Sequence, residues 1–204
     1  MPAYSKTSLC NLGLSAVGIN SRIGNVDTEK SNEAIQCRLW YDHVRVLILE
    51  AKLWPGMADK EFELQALTNP STQWAKLYKY PSNCLFASHI INPASRTPGR
   101  GGKIPFKPTR LSGAYGKGLY CDQDNAILVG NEDVTDPTLF TSTFAQAMIM
   151  GIGAHVSPSL RVDTEVMKAS QAGFREWMME ASQQVNREAQ EDEESDSEFE
   201  TVRA

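Results

Sequence analysis

The chain has 204 residues and a mass of 22.6 kDa, with 41% apolar residues, 22% charged residues and a formal net charge of −5. That is enough for a real core in one sizeable domain or two small ones. No apolar run reaches the roughly eighteen residues of a membrane span, and the opening MPAYSKTSLC lacks the apolar centre of a signal peptide, so synthesis in a reducing cytoplasm is expected.

Leu9, Leu12, Ala16 and Ile19 recur at three- and four-residue steps and predict a helix from about Ser5 to Val17, ended by GINSRIG. Ala34, Cys37, Tyr41, Val44, Ile48 and Ala51 predict a second helix from Ser31 to Lys52, with Trp40 and Leu47 widening its buried face. Asp27, Thr28 or Ser31 can cap its start, and Pro55 stops it. ADKEFELQALTNPS is ambiguous between helix and strand, and WAKLYKYPSNCLFASHII reads as extended with a break at Pro81. LSGAYGKGLYCD and NAILVGN read as strands joined by a tight turn at DQDN.

Helix is expected to resume at Asp136, a good N-cap, with Pro137 in the first position. Phe140, Phe144, Ala147, Met148, Gly151, Ile152 and His155 would form its apolar face. Val162, Val166, Ala169, Gly173 and Trp177 begin a last helix running to about Gln190. The fold class expected is α+β: mainly a helical bundle with a small β-rich insertion. Residues 1–56 and 134–190 would make the bundle, 57–133 the insertion, and 191–204 a disordered acidic tail.

Charge is unevenly spread. Residues 191–204 carry seven acids and one arginine, leaving +1 for the rest of the chain. Residues 64–121 contain no Asp or Glu but eight Lys and Arg, so a negative partner is expected near them. Within this segment RTPGRGGKIPFKPTR holds five basic residues, Arg96, Arg100, Lys103, Lys107 and Arg110, and reads as a basic loop facing a partner or DNA. Its glycines and prolines suit ordering on contact with an acidic protein surface, while its charge suits sequence-blind phosphate contact. Partner docking is preferred, because Phe106 is the one aromatic available for base stacking and a channel through which DNA slides should not grip it.

Motifs for catalysis are missing. PGRGGK fails the phosphate-loop pattern because Ile104 follows Lys103, and there is no GxSxG and no HExxH. Cys10, Cys37, Cys84 and Cys121 are far apart, as are His43, His89 and His155, so no metal site is expected. Asp42 and His43 are helix neighbours that point apart, and His155 reads as a core or interface residue. Glu61, Glu63, Asp122 and Asp124 offer the carboxylates that a glycosidase would need, as any acid-rich chain does. The methionines from Met148 to Met179 read as core or contact filling. No cofactor is implied.

The order of the packing motifs carries a resemblance. Asn11, Gly13, Leu14 and Gly18 match an N-x-A-L-x-x-x-G helix, with Gly13 in place of the alanine. Glu33, Ala34, Cys37, Tyr41, Asp42, Arg45 and Leu49 match a following E-A-x-x-C-x-x-x-Y-D-x-x-R-x-x-x-L helix. Trp54–Pro55 reverses the usual P-W pair, and Trp74, Tyr78, Pro81, Cys84 and Leu85 match W-x-x-x-Y-x-x-P-x-x-C-L. Asp136, Pro137, Phe140 and Phe144–Ala145 match D-P-x-F-x-x-A with altered spacing.

Across about residues 8–190 the chain resembles the head-to-tail adaptors of short-tailed bacteriophages, the tail tubular protein A type. The resemblance implies a non-enzymatic virion protein that forms a ring, usually of twelve copies, assembled in the host cytoplasm. It would lie in the neck between the portal protein and the tail nozzle protein, around the channel through which viral DNA leaves. Two alternatives stay open: a monomeric nucleic-acid-binding protein that uses the basic β unit, and a tail-associated cell-wall hydrolase.

Overall fold

In the computed structural model, which describes residues 4–91, 104–111 and 116–180, the chain divides into two units. Among the described residues, one is formed by those up to Lys52 together with those from Val134 on; the other contains Leu53–Asp133.

The first unit is helical. α1 spans Lys6–Ala16, α2 Asn32–Ala51 and α3 Ser142–Val156, and a fourth helix, α4, covers residues 164–180. α1 starts where Ser5 accepts a hydrogen bond from the Ser8 N–H while Ser8 accepts one from the Ser5 N–H, a reciprocal cap. It ends where Gly18 takes a left-handed φ of 79° and the Gly18 and Ile19 N–H groups close on the carbonyls of Ser15 and Leu14. Ser31 caps α2 through the Ala34 N–H.

Three corrections apply to these helices. The buried face of α1 is Leu9, Cys10, Gly13, Leu14 and Val17, while Leu12 is exposed, because α1 packs closely on α3. A Cβ on Gly13 would stand 2.9 Å from Ile152 Cγ2, so a residue without a side chain marks the contact. Asp136 and Pro137 start a separate 3-10 turn, Pro137–Leu139; α3 begins later, at Ser142, with Thr141 as its cap. On α4 the buried ring is Phe174, whereas Val166 is exposed, so the packed face lies about one residue round from the one read from Val162 and Val166.

The second unit holds seven strands among the described residues, all antiparallel in their pairings. They are β1 Asp59–Glu63, β2 Ala66–Leu67, β3 Lys76–Lys79, β4 Cys84–Ile90, β5 Phe106–Arg110, β6 Lys117–Cys121 and β7 Ile127–Glu132. They form two sheets, ordered β1-β7-β4 and β2-β3-β6-β5. The DQDN turn therefore does not close a hairpin: it carries the chain from β6 in one sheet to β7 in the other. Both sheets feed one core of Phe62, Tyr78, Cys84, Ile90, Leu119, Cys121, Ala126 and Leu128.

The fold is thus α+β, and the expectation of a mainly helical bundle is overturned by these two sheets. The cause lies in segments with little local pattern. β1 buries only Phe62 among charged neighbours, and becomes a strand because residues 127–131, far along the chain, pair with it. Where β4 shifts register against β7, a Cβ on Gly130 would stand 2.2 Å from the Phe86 carbonyl oxygen, so the bulged strands approach through a glycine. No helix among the described residues is long and apolar enough to cross a membrane.

Candidate functional site

The four-stranded sheet is electrically polar from end to end. At the end with Lys76, Cys121 and Phe106 in register stand Asp122 and Asp124. Asp124 pairs with Lys76 at 2.6 Å and pushes its ammonium pKa up, while Asp122 accepts the Ala75 N–H at 2.7 Å. At the other end Arg110 stands directly opposite Lys117, and Lys79 opposite Gly118, the next residue along. Like charges in register repel, and no ion pair among the described residues involves Arg110 or Lys117. The Lys117 ammonium lies 5.9 Å from the centre of the Tyr80 ring, whose quadrupole attracts it. This end carries cations on three adjacent strands, Arg110 and Lys117 on one face and Lys79 on the other, with no acid in the sheet beside them.

Two members of the predicted basic loop, Lys107 and Arg110, lie on β5, an edge strand, and both are exposed. Lys107 aligns with Tyr120 and Leu77, on the sheet face opposite to Arg110. Arg96, Arg100 and Lys103 fall outside the described residues, as does the acidic segment 191–204.

The motif residues behind the resemblance occupy joints. The Asn11 amide donates to the Ile23 carbonyl at 2.9 Å and accepts the Ile23 N–H at 2.8 Å, fastening the loop after α1. Arg45 is only 4% exposed; it pairs weakly with Asp42 at 3.4 Å and donates to the Val134 carbonyl at 3.0 Å. The Trp54 N–H donates to the buried Asn131 side chain at 3.0 Å. The Tyr78 hydroxyl donates to the Gln123 carbonyl, the Trp74 carbonyl accepts from Asn69, and the Pro81 carbonyl accepts from Cys84. Asp136 accepts from the Thr138 N–H and hydroxyl, which hold its carboxyl below the usual range. Phe140 packs on Phe144 at 4.6 Å. Glu33 lies in the first turn of α2, Ala34 is buried, and Pro137 opens the 3-10 turn.

Cys37 and Cys10 hydrogen-bond side chain to side chain between α2 and α1; that bond and burial push the Cys10 thiol up. Tyr41 is buried with the Lys6 ammonium 5.4 Å from its ring centre, and burial raises its hydroxyl pKa. Glu61 and Glu63 sit exposed on β1. Among the described residues no group of three or more His, Cys, Asp or Glu could hold a metal ion.

A second surface, on the helical unit, was not read from the sequence. Trp40 and Leu47 of α2, His155 of α3, and Phe174, Arg175 and Met178 of α4 line an apolar groove of about 550 Å³. Trp40 and His155 rings lie 4.8 Å apart, and His155 and Phe174 rings 5.7 Å apart. The buried Trp40 indole N–H has no hydrogen-bond partner among the described residues. The available signal was Trp40 and Leu47, two apolar residues seven apart at the margin of the core face of α2. In comparisons with known proteins, no family model matches the chain and no curated protein sequence matches it.

Proposed function

We propose that this protein is a structural head-to-tail adaptor of a short-tailed bacteriophage, acting as a ring between portal and tail nozzle around the DNA exit channel. The reading is carried by one observation: two units of the chain bear contact surfaces of opposite chemistry. The helical unit carries an apolar groove, suited to packing against other helices. The β unit carries an acid-free cationic end, suited to an acidic nozzle surface or to passing DNA phosphates. The joint-forming roles of Asn11, Arg45 and Trp54 support the reading too, because a motif of such residues specifies a scaffold. The reading assigns no catalytic step and places the protein in the virion neck.

Electron microscopy of the purified protein mixed with the portal ring of the same virus tests this. Rings stacked coaxially on the portal are expected. Bare portal rings, together with a monomer that shifts duplex DNA in low salt and releases it as salt rises, would overturn the reading in favour of the monomeric nucleic-acid-binding protein.

A further inference from the structure

α2 is apolar on two opposite sides. Its core side buries Ala34, Cys37, Tyr41, Val44 and Ile48. At 3.6 residues per turn, Ile35, Leu39 and Val46 point within about 40° of the reverse direction. Ile35 is 45% exposed and Leu39 65%. A helix that is apolar on both sides is one that expects cover on both sides. Asp42 stands one turn from both Leu39 and Val46, and its side chain is 69% exposed. The outer side of α2 is therefore an apolar ridge flanked by two acids, Asp42 and, one turn beyond Val46, the exposed Glu50.

The groove beside it has the opposite features. It is concave and lined by rings. It holds a cation, Arg175, that enters no ion pair among the described residues, and a buried indole N–H that lacks an acceptor. Ridge and groove match in charge, yet neither matches itself: ridge on ridge would bring Asp42 towards Asp42. A head-to-tail contact sets ridge in groove, and repetition of such a contact closes into a ring when its rotation divides a full turn.

We propose that the Ile35–Leu39–Val46 ridge of one copy seats in the Trp40–Phe174 groove of a second copy of this chain, with Asp42 facing the partner's Arg175. This names the copy-to-copy contact of the adaptor ring and rests on that reading. The contact removes the exposed aliphatic side chains from water and gives Arg175 a counter-charge.

The test uses two full-length single variants, Leu39→Cys and Met178→Cys, each alone and mixed, oxidised after assembly on portal rings. The four native cysteines are buried. Disulfide-linked dimers are expected in the mixture and in neither variant alone. A Leu39→Glu chain should keep the wild-type Tm, since Leu39 is exposed, and lose ring formation. Rings that form with no cross-link in the mixture, or Leu39→Cys dimers formed alone, overturn this contact and leave the adaptor reading standing. Wild-type protein that forms no ring on the portal overturns both.

Discussion

Arg110 and Lys117 face each other directly across β5 and β6, two positive side chains in register with no described acid paired to either. Such a pair weakens the sheet it sits in, by about 0.2–1 kcal/mol relative to neutral partners. An anion bound there turns the cost into an attraction. Arg110→Glu should therefore raise the urea midpoint slightly in low salt, with the gain shrinking as salt is added. The same variant should lose affinity for the anionic partner, whether nozzle protein or DNA. A variant that gains stability and keeps full binding would remove this end of the sheet as the contact.

The Asn131 side chain is fully buried and accepts the Trp54 backbone N–H at 3.0 Å. Its neighbour along β7, Gly130, lies against Phe86 and Cys84 of β4 with no room for a side chain. Asn131→Ala removes the acceptor and leaves a buried N–H without that bond, which costs about 1–3 kcal/mol. Asn131→Asp keeps the acceptor oxygen but buries a charge, and should cost at least as much at neutral pH. Chemical denaturation of the three proteins measures both effects. Equal stability of Asn131→Ala and the parent would show that water takes over the bond.

Gly13 stands where α1 meets Ile152 of α3, with no room for a side chain. A Cβ at position 13 would lie 2.9 Å from Ile152 Cγ2 and 3.3 Å from the Ile149 carbonyl oxygen. Gly13→Ala gains about 0.5–1 kcal/mol of helix propensity but overpacks the α1–α3 contact at a cost of about 1–3 kcal/mol. The net expectation is destabilisation by roughly 1 kcal/mol. Ile152→Ala removes the clashing methyl, so adding Gly13→Ala to it should cost little or stabilise. A double-mutant cycle in urea reads this coupling. Additive effects would mean that α1 shifts to make room.

What could be read from the chain depended on how far apart the interacting residues lie. α2 was legible from start to finish, because its periodicity, the Ser31 cap and the Pro55 stop are local. α1 was legible as a helix, but its buried face was not, since Gly13 has no side chain and α3, the helix it packs on, comes about 130 residues later. β1 and β2 were ambiguous because their pairing partners β7 and β3 decide them. The turn at Asp122–Asn125 looked like a hairpin, yet β6 already has β3 and β5 as neighbours, so the chain must leave the sheet. The basic residues of the acid-poor segment 64–121 were visible in composition. That Arg110 meets Lys117 at the end of a sheet depends on register, which composition does not contain.

Glu29 gives the acid limb of stability a named source. One carboxylate oxygen accepts the Ser31 hydroxyl at 2.6 Å, and the other accepts the Gly24 N–H at 2.7 Å. Ser31 is itself the N-cap of α2, so this carboxylate ties the preceding loop to the start of the longest helix. The Ser31 hydroxyl first, and then the Gly24 N–H, hold the Glu29 carboxyl below the ordinary glutamate range. A carboxyl lowered in the folded state binds a proton less readily there than in the unfolded chain. Its stabilising contribution is therefore complete above the ordinary range and fades as pH falls through the lowered folded value. Asp136 is lowered by Thr138 and acts with the same sign, so the wild-type curve alone does not isolate Glu29. Glu29→Gln keeps the shape and removes the charge. Urea midpoints followed from about pH 7 to about pH 3 should show the variant weaker at neutral pH, with the gap to wild type closing on acidification. A gap that stays constant with pH would mean that the carboxylate acts through shape alone and that its charge contributes nothing to the α2 start.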